Sequence, residues 1–519
     1  MIVENQAPAI AFIEALPAGS DPVETMQTHI SRIFLVGDRV YKMKRAVKLP
    51  YADFSTPELR LEACLKEVEL NSRTAPGLYL GVRRLTRDGN RTVAFDGPGE
   101  LIDAVVEMTR FEQEALLDKM ALAGRLTGRL ATDVAEMIAA FHRVAPIVHA
   151  GGGAANIAGV LDINEAGFGT SHVFTSDEIA DFNRAFRDAL REHTTLLDRR
   201  EADGKVRRCH GDLHLRNICL LDGQPRLFDC IEFNDQIATI DTLYDLAFLL
   251  MDLWHRGLED KASLVANRYL DLSDEEDGFV LLPFFMALRA AVRAHVTATQ
   301  AEGGDPSGKL AAEARSYFDL ARFLLRKKKP ALVVIGGLSG TGKTTIAEAL
   351  ACHVGAPPGA RIVESDRIRK AMHGVSAETR LPDSAYRPEV SNRVYGEMAR
   401  RAGVILRDGG SVVSDAVFDA PDKRQSIEEA ARRSGAQFVG IWLVADPALL
   451  KQRVAARRGG PSDATVDILA RQLERDAGMM SWHEIEAAGS PEEIVAAIMG
   501  RIENPDRIQH LAKTAKVGS

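Results

Sequence analysis

The sequence predicts two folding units of different class. An α+β unit, with a small strand-rich lobe ahead of a larger helical one, precedes an α/β unit built on a parallel sheet. Three observations predict this. The 519 residues are too many for one ordinary core. The first third alternates as strands do, and from about Leu116 the pattern turns helical. At Gly337 the chain reads G-L-S-G-T-G-K-T, which fills the phosphate-binding template G-x-x-x-x-G-K-[ST] between an apolar run and a helical pattern.

Residues 29–36 alternate and meet Gly37-Asp38, a two-residue hairpin signal, before residues 39–44. Residues 58–73 set Leu61, Cys64, Leu65, Val68 and Leu70 at helical spacing, and Arg87-Asp88-Gly89-Asn90 marks a second hairpin. Helices are expected over 131–144, 176–197, 241–254 and 281–299. Residues 302–308 read as a loop. The helix after it is expected to end in Arg326-Lys327-Lys328-Lys329, whose charges complement the helix dipole, and to stop at Pro330. A domain boundary falls there, giving domains 1–325 and 330–519. Residues 331–335 read as a buried strand, followed by the phosphate loop and a helix to about His353.

Composition is that of a globular protein, 46% hydrophobic and 27% charged, with a net charge of -8. Residues 330–519 carry about +1, which leaves about -9 on the first 329 and argues against nucleic acid as their partner. Early acids (Glu4, Glu14, Asp21, Glu24) in place of a basic n-region predict no signal peptide. No apolar run reaches the roughly 18 residues of a membrane span; Asp245 and Asp252 break the run at 243–254. Five cysteines (Cys64, Cys209, Cys219, Cys230, Cys352) without a C-x-x-C pair suit a reducing cytoplasm. Those around residues 209–230 are read as buried packing rather than redox or metal groups.

Residues 210–217 read H-G-D-L-H-L-R-N. Asn217 leads into an apolar strand at 218–221, the turn Asp222-Gly223-Gln224-Pro225, and a return at 226–228. Such a hairpin closes Asn217 and Asp229 together at its open end, and paired oxygen donors suit Mg²⁺ on a triphosphate. Asp212, five residues before Asn217, is then placed to accept a proton from an attacking hydroxyl. Upstream, Lys42 and Lys44 share a strand face. A strand lysine that meets phosphates should pair with a helix glutamate. Lys42 with Glu67 is the favoured pairing, with Lys44 left open.

Over roughly residues 25–325 these motifs resemble the aminoglycoside phosphotransferase-like branch of the protein-kinase fold, which carries Gly, here Gly211, where protein kinases carry Arg. The resemblance implies Asp212 as catalytic base, Asn217 and Asp229 as magnesium ligands, and His210 as a scaffold residue. It also implies that Asp245, in D-T-L-Y-D-L-A, holds the catalytic loop's backbone. Glu107-Met108 resembles the hinge that binds adenine through backbone groups. The chain departs from protein kinases in having only Gly37 ahead of the lysine, and Asp229-Cys230-Ile231 in place of D-F-G. With Gly211, no residue receives an activation-loop phosphate, which favours a small substrate over a protein.

In the second unit the loop Gly337, Leu338, Ser339, Gly340, Thr341, Gly342 turns backbone N–H groups toward phosphates. Lys343 reaches the β/γ oxygens, the Thr344 hydroxyl binds Mg²⁺, and Thr345 continues a helix whose positive end faces the anion. Val412-Val413-Ser414-Asp415 is a strand ending in an acid, placed for water-mediated Mg²⁺ contact. Ser365-Asp366-Arg367-Ile368-Arg369-Lys370 follows an apolar strand at 361–363. Arg453, Arg457 and Arg458 lie after a strand at 438–444, where a lid helix would sit, and spacing i, i+4 gives the first two a shared face. Roughly residues 330–500 resemble small P-loop metabolite kinases such as gluconate kinase, and zeta-toxin-type kinases. That resemblance implies Asp366 as the group orienting or deprotonating the acceptor, Arg369 as a substrate contact, and Arg453 and Arg457 as stabilisers of transferred charge.

The expectation is therefore a two-lobed α+β protein-kinase-like domain followed by an α/β P-loop NTPase domain with a parallel sheet. The chain is expected to be a cytoplasmic enzyme that uses ATP and Mg²⁺ at two sites to phosphorylate hydroxyls of small molecules. Two rivals stand beside this. One domain is a nucleotide-sensing regulatory module, or the P-loop domain is a nucleic-acid end kinase, which its near-neutral charge weakens. Neither the acceptors nor the oligomeric state is specified by sequence.

Overall fold

Val36 and Arg39 face each other across Gly37-Asp38, with Gly37 at φ 56°, so the first hairpin forms where its turn residues put it. The computed structural model describes residues 4–17, 22–49, 52–149, 151–475 and 477–503. Two compact units emerge: Met1–Gly169 with Phe186–Asp252, and Thr170–Ala185 with Leu253–Ser519.

The first unit opens on a six-stranded antiparallel sheet. Its order is Glu24–Gln27, Ser31–Val36, Arg39–Lys44, Glu100–Thr109, Tyr79–Arg87, Val93–Phe95. The helix Pro57–Asn71 packs on this sheet. Thr56 caps it, accepting from the Leu59 N–H, and Pro57 fits its first turn, where no backbone donor is needed. Its buried face is mostly polar: Arg60, Cys64, Glu67 and Asn71. A hydrophobic cluster of Cys64, Ala75, Leu78, Ala104, Val106 and Met108 fills the space beneath. Helices Gly128–Val144, Gly153–Gly169 and Thr242–His255 follow the strands. Between them Ile218–Leu221 and Gln224–Leu227 make the expected hairpin, with a tighter turn at Asp222-Gly223. The helix Gly153–Gly169 was not legible in sequence, since four glycines dilute its pattern.

The second unit holds a five-stranded parallel sheet: Arg361–Glu364, Val412–Asp415, Ala331–Gly337, Gln437–Val444, His483–Glu486. The central strand Ala331–Gly337 is buried throughout, as expected of a strand covered on both faces. The helix before it runs Lys309–Leu324, so the basic run 326–329 lies beyond its last turn, in the connection to Pro330. Glu276–Glu302 is long and apolar enough to cross a membrane by composition. Most of its apolar window, 72%, is buried inside the fold, as in a core helix. All five cysteines are buried and outside any disulfide.

Candidate active sites

The hairpin register sets Ile218 opposite Leu227, which leaves Asn217 and Phe228-Asp229 at its open end, where the Phe228 N–H donates to the Asn217 carbonyl at 3.1 Å. Asn217 Nδ2 donates to both the carbonyl and Oδ2 of Asp212, each at 2.9 Å. Its Oδ1 is thereby left as the atom a cation could use. The side chains of Asp212 and Asp229 are 40% and 41% exposed, open enough to meet a ligand.

The backbone beneath is pinned from inside. Asp245 accepts the His210 N–H at 3.1 Å on Oδ2 and the Gly211 N–H at 2.8 Å on Oδ1, and His142 Nε2 lies 3.1 Å from Oδ2. Gly211 adopts φ 85°, and a Cβ there would meet Ile231 at 3.0 Å and Ala238 at 3.2 Å. Asp229 itself sits at φ 63°, a costly conformation for a residue other than glycine. It is held there by its N–H donating to the Tyr79 hydroxyl at 3.1 Å and by the Cys230 N–H donating to Asn71 Oδ1 at 2.9 Å.

Both strand lysines are buried, and both meet Glu67. Lys42 pairs with Glu67 Oε1 at 2.7 Å and with Asp229, and Lys44 pairs with Glu67 Oε2 at 2.5 Å and with Glu232. Lys42 is the one that faces Asp229. Lys44 and Glu232 form a second, deeper bridge that sequence reasoning missed, because nothing in the spacing marks Glu232. Burial pushes Glu67 up, but Lys42 and Lys44 outweigh it and hold its carboxyl down at about 2. Burial likewise works against the charge on Lys42, yet Asp229 and Glu67 raise it well above the usual lysine range. The turn between the first two strands brings His29 within electrostatic range of Asp212 and Asp229.

The expected hinge pair is placed differently. Glu107 and Met108 lie inside the sheet, flanked by Tyr41 and Val40 on one side and Gly81 and Tyr79 on the other. Their backbone groups are spent on the ladder. The chain leaves the sheet only after Thr109, so adenine recognition through the backbone of Glu107-Met108 does not fit this geometry.

In the second unit the parallel register brings three strands together near their C-terminal ends. Ile335 and Glu364 both lie opposite Asp415. Gly340, at φ 90°, passes so close to Leu450 that a Cβ would meet its carbonyl at 2.8 Å, and Gly342 at φ 87° starts the helix Lys343–Ala351. Thr344 Oγ1 donates to Asp415 Oδ2 at 2.6 Å and lies 3.5 Å from Glu364 Oε1. Lys343 Nζ donates to the Leu338 carbonyl at 3.1 Å, folded back on its own loop. Burial lowers Lys343, while Asp415 and Asp366 pull it the other way. Burial and the neighbouring Asp415 push Glu364 up to about 8, and burial pushes Asp415 to about 6 against the pull of Lys343. Glu364 is a buried acid the sequence reading passed over. It closes the strand read as ending at Val363, two residues before Asp366.

A cavity of about 640 Å³ joins Lys343 and Thr344 to Asp366, Arg369, Tyr386 and Arg457. Asp366 is raised by burial, with Arg369 and Lys343 opposing, and bonds to Ser462. Arg369 stacks on Tyr386 at 4.7 Å and donates from Nη1 to the Ala385 carbonyl at 2.7 Å. Asp463 ties the neighbouring loop down, accepting from Lys370 Nζ and the Leu381 N–H at 2.9 Å each and from Tyr386 Oη at 2.6 Å. Arg453 is not brought into the cavity: its Nη1 donates to the Ala487 carbonyl at 2.9 Å. The helix Pro447–Ala456 ends before Arg457, so the two arginines do not share a helix face.

The sequence matches the phosphotransferase enzyme family over residues 90–277 and the AAA domain over residues 332–477. Over 492 residues it is 30% identical to an uncharacterized protein of Mycobacterium tuberculosis (strain ATCC 25618 / H37Rv), covering 93% of this chain and 96% of that one. A protein of Mycobacterium bovis (strain ATCC BAA-935 / AF2122/97) matches equally. The chain belongs to the same family as these proteins. In this family member a phosphotransferase-type, kinase-like domain precedes a P-loop kinase-like domain. Among solved structures, a choline/ethanolamine kinase family protein from Mesorhizobium loti is 15% identical with a TM-score of 0.40, covering 62% of this chain and 95% of that one. A gluconokinase from Sinorhizobium meliloti 1021 is 22% identical with a TM-score of 0.25, covering 36% and 99%.

Proposed function

We propose that the chain is an ATP-dependent phosphotransferase with two nucleotide sites, each passing the γ-phosphoryl group to a hydroxyl of a small molecule in the cytoplasm. The observation that carries the reading is the convergence of Lys42, Asp212, Asn217 and Asp229 in one half-open site. Asn217 Oδ1 and the Asp229 carboxylate are the oxygen donors that would hold Mg²⁺ at the first site; Thr344 and Asp415, with Glu364 beside them, would hold it at the second. The buried acids Glu364 and Asp415, pushed up by burial, fit a dication that would neutralise them. Bound there, the ion would supply neutralisation of the phosphates' charge.

In the first domain Lys42 would turn from Asp229 to the phosphates while Glu67 keeps its orientation. Asp212 takes the proton from the acceptor hydroxyl as that oxygen bonds to the γ-phosphorus and the bond to the β–γ bridging oxygen breaks. In the P-loop domain Lys343 leaves the Leu338 carbonyl for the phosphate oxygens, and Asp366 orients the acceptor hydroxyl. Arg457 supports the transferred charge, and Arg369 binds the acceptor. The small cavity and the near-neutral charge of this half support a metabolite over a nucleic-acid end.

Incubating the full-length protein with γ-labelled ATP and a metabolite extract tests the reading. Labelled small-molecule products that lose one class in Asp212→Asn and another in Lys343→Ala support two transferase sites. Label released only as phosphate, with no product dependent on either residue, overturns it.

A further inference from the structure

The helix Glu259–Leu272 lies in the stretch that matches the phosphotransferase enzyme family, yet it belongs to the compact unit of the P-loop. It is bolted to the edge strand Arg361–Glu364. Asn267 Oδ1 accepts the Ile362 N–H at 2.7 Å and Arg361 Nη1 at 3.0 Å, and Asn267 Nδ2 donates to the Ala360 carbonyl at 3.1 Å. An edge strand's open backbone is thus covered. Arg361 is fully buried and pairs with Asp271 at 2.7 Å and Glu276 at 3.0 Å.

One arm of this network reaches the phosphate site. Asp271 Oδ2 lies 3.7 Å from Arg367 Nε, and the same Nε donates to Glu364 Oε2 at 3.0 Å. The other oxygen of Glu364 faces Thr344 Oγ1. Arg367 is the cation paired with Glu364, and Asp271, whose Oδ2 also accepts from Arg268 Nη1 at 2.9 Å, is the carboxylate on its far side. Glu364 stands in register with Asp415 on the next strand, so two acids meet at the loop. Arg367 thus holds Oε2 of Glu364 while Oε1 is turned to Thr344. A partner that orients a metal-binding carboxylate tunes the affinity of the site.

We propose that Asp271 is a positioning residue for the P-loop site, acting through Arg367 to aim Glu364 at the cation beside Thr344. The P-loop site is then completed by a helix from outside the P-loop sequence. This rests on the reading of Thr344, Glu364 and Asp415 as the Mg²⁺ site.

The test uses the full chain carrying Asp229→Asn, so that metal-dependent nucleotide binding reports the P-loop site. Mg²⁺ is titrated at fixed ATP. Asp271→Asn is expected to raise the Mg²⁺ concentration for half-saturation by about 3–10-fold, less than loss of a direct partner of a ligand, with ATP affinity in EDTA unchanged. Arg367→Gln, at a partly exposed position, removes the direct partner of Glu364 and should give a larger shift in the same direction, and Asp271→Glu should restore part of the loss in Asp271→Asn. Glu276→Gln also strips Arg361 of a partner but touches no part of the Arg367 arm. It is expected to lower the melting temperature and leave the Mg²⁺ dependence alone. The proposal is overturned if neither Asp271→Asn nor Arg367→Gln moves the Mg²⁺ dependence, or if Glu276→Gln moves it equally. Thr344→Ala separates the cases. If it shifts the Mg²⁺ dependence and Asp271→Asn does not, only the positioning role falls. If it shifts nothing, the metal-site reading falls, and this proposal with it.

Discussion

Glu364 and Asp415 stand in register at the ends of adjacent parallel strands, and both reach the hydroxyl of Thr344. Neither acid is at ease there without a cation, since burial favours protonation of both, helped at Glu364 by the charge of Asp415 and at Asp415 by that of Asp366.

Glu364→Gln should therefore weaken Mg²⁺ dependence at the P-loop site by about tenfold while leaving metal-free ATP binding in place. A Mg²⁺ titration of nucleotide binding checks this; an unchanged titration would make Glu364 a packing residue.

Nucleotide and acceptor roles should separate in the same cavity. Lys343→Ala is expected to lower ATP affinity and turnover together. Asp366→Ala should leave ATP binding nearly intact and cost roughly 10²–10⁴-fold in turnover, the usual worth of a positioned base. Calorimetry beside a turnover assay decides it. Loss of ATP binding in Asp366→Ala would assign that residue to the metal or the fold.

In the first domain Asp212→Asn should keep Mg-ATP binding and lose phosphoryl transfer. Asp229→Asn should weaken Mg-ATP binding itself and release Lys42 from its partner. Single-turnover measurements on both variants report this, and full transfer in Asp212→Asn would remove the loop from the chemistry.

Much of this was readable from sequence because it is local. The P-loop needs glycines at positive φ, and bringing Asn217 and Asp229 together needs only a hairpin of the right length between them. The hinge assignment failed because it rested on a resemblance at Glu107-Met108 alone, and the strand Tyr79–Arg87 that pairs with both residues is set by tertiary pairing. Arg453 was misdirected by assuming the helix would run through Arg457; it ends at Ala456. Glu232, Glu364 and Asp271 were invisible because each matters through a partner distant in sequence or through burial, and neither leaves a spacing.

Acid should test the paired lysines. Glu67 remains charged in the folded protein down to about 2, whereas in the unfolded chain it takes a proton near 4.5. Its contribution to stability is complete above pH 4.5 and lost as pH falls toward 2, on the order of 3 kcal/mol in all. Urea unfolding across pH 3 to 6 should show a fall that is shallower in Glu67→Gln. An identical slope in both proteins would mean the two lysines do not hold this carboxylate charged.

Cutting the chain at 330 should harm the P-loop half. A fragment 330–519 leaves the buried Arg361 without Asp271 and Glu276, and unpairing a buried charge costs about 3–5 kcal/mol. A fragment 253–519 keeps both and should melt well above the shorter one. Equal melting temperatures would make the ion network dispensable.

The cover that Asn267 gives the edge strand also bears on inheritance. A recombination that moved the P-loop stretch alone to a new gene would deliver a sheet with a bare margin and a stranded guanidinium. Viable crossovers should fall before residue 259 or after the sheet is complete, so the helix Glu259–Leu272 would travel with the P-loop stretch as one cargo.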